Sequence, residues 1–317
     1  VFVGLSNCKN GLNIIIMGDW GGSDHAPYTT SDELYSASVM NSIAGELNAD
    51  MVWGLGDNFY DNGVRNEYDP RFNETFESVF NGEHLLDMPF WFIAGNHDHS
   101  LTGNVTGEIY YSNHSQRWNY PDKWYSKTWQ IPGYNKTIQL LMIDTVLLCG
   151  LSYDKEFCIR HGMSDEECIL HPKGPANKAE ADEQWTWIEN TLSQSKANYI
   201  IVAGHYPIYS IAEHGPSECL IQYLEPKLIQ YNVTAFINGH DHTFESIVNT
   251  DVHPVLPYLT IGGTHTCDSS TINKFRVPDR WIRFHGCKDG GFAVMNVKDT
   301  MNVTYYFGNE TKPVYTT

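Results

Sequence analysis

The feature that most constrains this chain is a series of short, unbroken apolar runs, each emptying into a glycine-flanked polar loop. Asn13-Ile-Ile-Ile-Met17 runs into Gly18-Asp-Trp-Gly-Gly22, and Met51-Val-Trp53 into Gly54-Leu-Gly-Asp-Asn-Phe-Tyr60. Pro89-Phe-Trp-Phe-Ile93 leads to Ala94-Gly-Asn-His-Asp-His99, and Thr137–Ile143 to Asp144-Thr145. Tyr199-Ile-Ile-Val-Ala203 leads to Gly204-His-Tyr-Pro207, Thr234-Ala-Phe-Ile237 to Asn238-Gly-His-Asp-His242, and Pro257-Tyr-Leu-Thr-Ile261 to Gly262-Gly-Thr-His265. Two final runs fall near Phe292–Val297 and Val303–Phe307. Runs without polar alternation predict strands covered on both faces. Helices are predicted from an N-cap at Ser31 to about Leu47, and from Lys178 to about Gln194. Strands alternating with helices predict an α/β fold, whose chemistry collects at the carboxyl ends of the strands. The chain shows no repeat, low-complexity tract or linker, so residues 1–317 are expected to form a single domain.

Those loops hold an unusual set of donors. Asp19 and Asp57 supply carboxylates, Asn96 an amide oxygen, Tyr60 a phenol, and His205, His240 and His242 imidazoles, with His97 beside Asn96. His240 and His242 straddle Asp241, so an extended segment would point both rings to one side. A single strand-end Asp or His is usually structural. Five such loops in one chain exceed the needs of one metal ion. Two ions sharing one carboxylate fit the count, and a pair roughly 3.5–4 Å apart suits phosphoryl transfer.

Charge sets a problem for that chemistry. Twenty basic and 38 acidic side chains give a formal charge of −18, which argues against a basic nucleic-acid interface. An anionic substrate would then need a strong local positive charge. Protonating the 14 histidines would offset most of the deficit, which is compatible with an acidic compartment. Sequons begin at Asn73, Asn104, Asn113, Asn135, Asn232, Asn302 and Asn309, the number expected of a secretory-route glycoprotein. No charged and apolar leader precedes the first strand, so a signal peptide is expected to have been removed. No apolar run approaches the roughly 18 residues of a membrane span. The seven cysteines contain no CxxC pair. Disulfides are the default for a secreted chain, with Cys158/Cys168 and Cys267/Cys287 as local candidates and Cys8 as the odd thiol.

Gly18-Asp-Trp-Gly21, Gly56-Asp-Asn-Phe-Tyr60, Gly95-Asn-His-Asp98, Val202-Ala-Gly-His205 and Gly239-His-Asp-His242 resemble the five ligand blocks of the calcineurin-like metallophosphoesterases. Among these they are similar to the purple acid phosphatases, in the small tartrate-resistant form, as are Gly204-His-Tyr-Pro207 and Ser210-Ile-Ala-Glu-His-Gly-Pro216. The resemblance spans Asn13 to about Glu245. It implies a four-layer α/β/β/α sandwich of two mixed β-sheets flanked by helices. Other members usually carry a His two residues after the first Asp, where this chain has Gly21. Tyr60 can take its place, and a phenolate suits Fe(III) and colours it. The resemblance thus implies Fe(III) on Asp19, Tyr60 and His242, a bridging Asp57, and a divalent iron, zinc or manganese on Asn96, His205 and His240.

Fe(III) would lower the pKa of a bound water, so that hydroxide could attack phosphorus at acidic pH. His97 and His214 would contact the phosphate and protonate the leaving oxygen, with their roles left open between them. The other nine histidines, including His84, His161, His253 and His265, are expected to be surface or structural. Small phosphate monoesters or phosphoproteins are the implied substrates of a monomer that is secreted or held in a lysosomal or other acidic compartment. The family also implies a Cys149–Cys219 disulfide and an exposed loop after it whose cleavage raises activity. In this chain Leu151–Pro175 carries Cys158 and Cys168, which would stiffen that loop and argue against a proteolytic switch. Two other readings are a zinc or manganese phosphodiesterase or nucleotidase, opposed by Tyr60 and Gly21, and an inactive scaffold or docking protein, opposed by the complete ligand set.

Overall fold

A computed structural model describes residues 9–153 and 155–317. In chain order the strands are β1 (Leu12–Met17), β2 (Met51–Gly54), β3 (Phe90–Phe92), β4 (Trp118–Asn119), β5 (Tyr125–Gln130), β6 (Thr137–Met142) and β7 (Tyr199–Ala203). They continue as β8 (Ala235–Asn238), β9 (Phe244–Asn249), β10 (Leu256–Ile261), β11 (Ile282–Gly286), β12 (Gly291–Val297), β13 (Met301–Phe307) and β14 (Pro313–Thr316). Two mixed sheets result, in the orders β14-β13-β12-β1-β2-β3-β4 and β11-β9-β10-β8-β7-β6-β5. Strands β1–β4 run parallel to one another, as do β6, β7, β8 and β10. Antiparallel strands occupy the flanks, which is the usual place for them in a mixed sheet.

The sheets are stacked face to face. Alternate residues of β6 show it: Leu140 and Met142 join Ile14, Ile16 and Trp53 in the inter-sheet core, while Leu141 faces the opposite layer. That outer layer is made by helices α3 (Thr145–Cys149), α5 (Lys178–Gln194), α6 (Glu218–Tyr223) and α7 (Glu225–Gln230), through Val146, Ile188, Leu220 and Leu228. Helix α1 (Ser31–Leu47) lies on the first sheet and buries Met40, Ile43 and Ala44. Two short helices complete the set, α2 (Val105–Tyr111) and α4 (Lys155–Arg160). The four-layer expectation therefore holds.

The predicted strands agree with the structure to within two residues at each end. β4, β5, β9, β11 and β14 were not predicted. β5 and β14 are edge strands with exposed side chains, and β9 hides Glu245 and Ser246 in its interior, which breaks an apolar reading. The cap of α1 is Thr30 rather than Ser31. Its hydroxyl accepts from Glu33 N at 3.1 Å, while the Glu33 carboxylate accepts from Thr30 N at 3.2 Å, a reciprocal box. Cys149–Cys219, Cys158–Cys168 and Cys267–Cys287 are bonded as expected, and Cys8 lies outside the described residues. Among the described residues no helix is long and apolar enough to cross a membrane.

One partly buried ion pair ties the two sheets together. His99, past the end of β3, lies 2.7 Å from the Asp144 carboxylate, past the end of β6. Asp144 is fixed in turn by Gln184 of α5, which bonds both its backbone N and its backbone O. Burial works against charge on His99, yet Asp144 outweighs it and raises the imidazole above its ordinary 6.5. A raised folded-state pKa stabilises the fold fully below the unfolded value, and that contribution fades as pH rises through the folded one. His99→Gln should therefore destabilise by roughly 1–3 kcal/mol near pH 5, with the deficit shrinking in alkaline buffer. Urea unfolding at both pH values checks this, and a deficit that grows with pH would contradict it.

Candidate metal centre

The carboxyl ends of the two sheets meet at one place. β1 delivers Asp19, β2 delivers Asp57 and Tyr60, and β3 delivers Asn96 and His97 from the first sheet. β7 delivers His205, and β8 delivers His240 and His242, from the second. Sharp turns present these groups. Asp19, Asp57 and His240 hold φ of 53°, 51° and 73°, left-handed values that cost energy for residues other than glycine.

Each carboxylate divides its two oxygens between support and chemistry. Asp57 Oδ1 accepts from His97 N at 2.9 Å, and Asp19 Oδ2 accepts from His240 N at 2.8 Å. The other oxygens face inward. The Tyr60 hydroxyl lies 3.0 Å from Asp19 Oδ1, from Asp57 Oδ2 and from His242 Nε2. His205 Nε2 is 3.3 Å from Asp57 Oδ2 and 2.9 Å from Asn96 Oδ1. Its Nδ1 donates to the Leu55 carbonyl at 2.9 Å, which turns Nε2 toward the centre.

Two donor groups follow, Asp19/Asp57/His242 and Asp57/His205/His240, each with its donor atoms within 4.8 Å of one another. Asp57 belongs to both. Too few protons sit among these lone pairs to link them all by hydrogen bonds, and hard oxygen and imidazole donors suit two cations. The donor set therefore fits a metal pair with one shared carboxylate.

Electrostatics are severe in so buried a cluster. Burial opposes charge on Asp57, but His205, His97 and His240 outweigh it and hold the carboxyl well below its ordinary value. Burial likewise disfavours a charged His205, yet Asp57 and Asp19 lift it to about 9. Burial, then the neighbouring His214 and His205, push His240 well down. Burial and the charges of Asp19 and Asp57 push the Tyr60 phenol well up, so ionising it requires a strong local positive charge.

A polar web behind the centre fixes the loops to one another. Asn58 accepts from the Trp20 indole at 3.0 Å and donates to the Ile93 carbonyl at 3.0 Å and to Glu108 at 2.8 Å. Asp98 accepts from Asn58 N at 2.9 Å and from Gly95 N at 2.7 Å. Arg71 donates to the carbonyls of Tyr60 and Gly21 at 2.6 and 2.8 Å.

The structure thus brings all seven predicted ligands together. His97 is buried, with Nδ1 2.6 Å from the Asp61 carbonyl and Nε2 3.9 Å from Asp57 Oδ2. The His214 ring stacks on His240 at 4.1 Å and borders two cavities, of about 560 and 300 Å³. His265, expected to be surface or structural, is buried beside the centre. It stacks on Tyr60 at 4.1 Å, its Nδ1 meets the Asp19 carbonyl at 2.6 Å, and it lines the larger cavity with Tyr60, His97 and His242. Its signal was present, since Gly262-Gly-Thr-His265 is a further strand-end loop. Arg71 and Asp61 gave no such signal. The Leu151–Pro175 segment, expected to be stiffened by Cys158 and Cys168, also reaches the loops of the centre. Arg160 of α4 grips Asp61 through two bonds of 3.1 and 3.0 Å, and buried Phe157 lies edge-on to His97.

Residues 12–244 match the model of the calcineurin-like phosphoesterases. The chain belongs to that family. It is 39% identical to tartrate-resistant acid phosphatase type 5 of Oryctolagus cuniculus over 298 residues, covering 93% of this chain and 86% of the relative. Among solved structures it resembles GAP50, the anchor in the inner membrane complex of Plasmodium. The TM-score is 0.77 at 22% identity, over 98% of this chain and 88% of that one. It also resembles the purple acid phosphatase PPD1 of Lupinus luteus, with a TM-score of 0.60 at 15% identity, over 96% and 53%.

In this calcineurin-like phosphoesterase, Gly21 is required by contact. A Cβ there would come within 2.5 Å of Phe59 N and 2.6 Å of Asn58 C, both backbone atoms. Gly21→Ala must displace the strand-end turn that carries Asp57 and Tyr60. Metal affinity is expected to fall roughly 10–100-fold, read by equilibrium dialysis and elemental analysis. Undiminished affinity would show that the 58–59 backbone yields without moving its neighbours.

Proposed function

We propose that this chain is an acid phosphatase that hydrolyses phosphate monoesters at an Fe(III)–M(II) pair. The observation that carries the reading is the sharing of Asp57 between two donor groups, with the Tyr60 hydroxyl 3.0 Å from each of the three members of one of them. Asp19, Tyr60 and His242 would hold Fe(III), Asp57 would bridge, and Asn96, His205 and His240 would hold a divalent iron, zinc or manganese. The pair would supply Lewis-acid activation of water and of phosphate oxygens, and its charge would answer the chain's −18 for an anionic substrate.

The remaining roles follow from what the side chains touch. His97 has its Nδ1 committed to Asp61, so its Nε2 edge is left to hold a phosphate oxygen. His214 opens on both cavities, and among the described residues no group is hydrogen-bonded to its ring. It is the better-placed donor of a proton to the leaving oxygen. Small phosphate monoesters or phosphoproteins are the substrates proposed, for a single-domain monomer.

A secreted, lysosomal or otherwise acidic location is supported by three disulfides and by the sequons. Six of the sequon asparagines are exposed. The seventh, Asn104, is half-buried and caps α2 through its side chain.

Reconstitution with iron and zinc, followed by visible spectroscopy and p-nitrophenyl phosphate assay at mildly acidic pH, tests the reading. A purple phenolate-to-iron band with turnover is expected. A colourless, fully metallated enzyme would point to a zinc or manganese phosphodiesterase or nucleotidase, and a loaded but inactive protein to a scaffold. Asp57→Ala should lose both metals, and retention of the pair would refute the bridge. His214→Ala should keep the colour while turnover of esters with poor leaving groups falls about 10²–10⁴-fold.

A further inference from the structure

We propose that Asn273 is a positioning residue whose amide holds the turn that carries His214 at the metal centre. The assignment rests on the reading of His214 as the proton donor. Residues 211–215 form neither helix nor strand, so their backbone groups must find partners elsewhere. Asn273 supplies three of them, each a donor to a carbonyl. Its backbone N donates to the Ile211 carbonyl at 3.0 Å, and its Nδ2 donates to the carbonyls of Ala212 at 2.7 Å and Glu213 at 2.9 Å. Both protons of the amide are thereby used.

The turn closes over this amide. Gly215 has φ of +71°, and a Cβ on it would come within 2.6 Å of Asn273 Cγ. An Asn at the start of a helical turn ordinarily caps that turn. Asn273 precedes the 3₁₀ turn Lys274–Arg276, yet its side chain makes no capping bond there. It is given to the His214 segment instead. Its neighbours face the other way: Ile272 and Phe275 are 68% and 85% exposed.

The segment that bears Asn273 is itself anchored to the centre. It starts at Cys267, bonded to Cys287, and Asp268 N donates to the carbonyl of His242 at 2.7 Å. From the other side, Asp241 accepts from His214 N at 2.8 Å. Residues 267–273 thus connect a metal-ligand loop to the turn of the proton donor, and fix one against the other. A displacement of the order of 1 Å in such a group costs about 10²-fold in rate.

Asn273→Asp keeps the shape and removes the donors. With an alkyl phosphate, whose leaving oxygen needs a proton, kcat should fall roughly ten- to a hundredfold. With p-nitrophenyl phosphate, whose leaving group departs as the anion, kcat should change little. KM and the visible band should stay as in the parent enzyme, and thermal melting should show a folded protein. Asn273→Ala, which adds no repelling oxygen, should show the same selectivity to a smaller degree. In a His214→Ala background, Asn273→Asp should have no further effect on the alkyl ester. Equal losses on both esters, a shifted band, or additive losses in the double variant would overturn the role of Asn273. If His214→Ala harms both esters alike, the donor reading falls, and this assignment with it. A selective His214→Ala beside an unselective Asn273→Asp would overturn the assignment alone.

Discussion

The centre depends on how one carboxylate is held. Asp57 Oδ2 faces three of the other candidate ligands or their neighbours, and its placement is set by Oδ1, which accepts from His97 N. Because that N–H belongs to the loop after β3, the shared carboxylate is locked to two strands at once. Asp19 repeats the device across the sheets: it leaves β1, and its Oδ2 accepts from His240 N beyond β8. Neither carboxylate could move without breaking a charge-assisted hydrogen bond to a different loop. The two sheets are thus joined at the edge of the candidate centre by Asp19, one of its own donors.

Such a cluster is unfavourable in isolation, since burial disfavours every charge in it. The web behind the loops holds it. Asp98 is pushed up to about 6 by burial and by the charge of Asp57, yet it is retained because it accepts from the backbones of two loops. Asn58 reaches from the Trp20 indole to the Ile93 carbonyl, joining the turns after β1, β2 and β3. Around these polar atoms lie Trp20, Phe59, Phe76, Phe92 and Trp118, packed edge to face and stacked with ring centroids 4.0–6.0 Å apart. Aromatic packing of this kind excludes water and makes the polar web rigid.

What the sequence disclosed follows the same physics. Parallel central strands are covered on both faces, so β1, β7 and β10 appear as uninterrupted apolar runs. The candidate ligands appear because glycines and polar residues interrupt such runs abruptly. Edge strands carry no such signal, as β5 shows with its mix of Ser126, Lys127 and Thr128. His265 was legible as a strand-end group but not as a neighbour of Tyr60, because stacking across 205 residues has no local pattern. Asn273 is similar. Its partners are distant carbonyls, and nothing in Thr271-Ile-Asn-Lys-Phe275 marks the side chain that turns inward.

The glycine at position 21 gains a second meaning from the structure. By resemblance it marks a missing imidazole, with Tyr60 as the expected compensating ligand. In three dimensions the two changes are one packing arrangement. The Gly21 carbonyl accepts from Tyr60 N at 3.1 Å, and Arg71 bonds the carbonyls of both residues. The backbone of Asn58 and Phe59 fills the space that any side chain at 21 would need. Tyr60 reaches the centre because its turn lies directly against a residue without a Cβ. Restoring a histidine at 21 would displace the phenol rather than add a ligand beside it. The 58–59 backbone therefore leaves no room for an imidazole at 21, and the asymmetry between the donor group beside the Tyr60 phenol and the one without it is built into the turn itself.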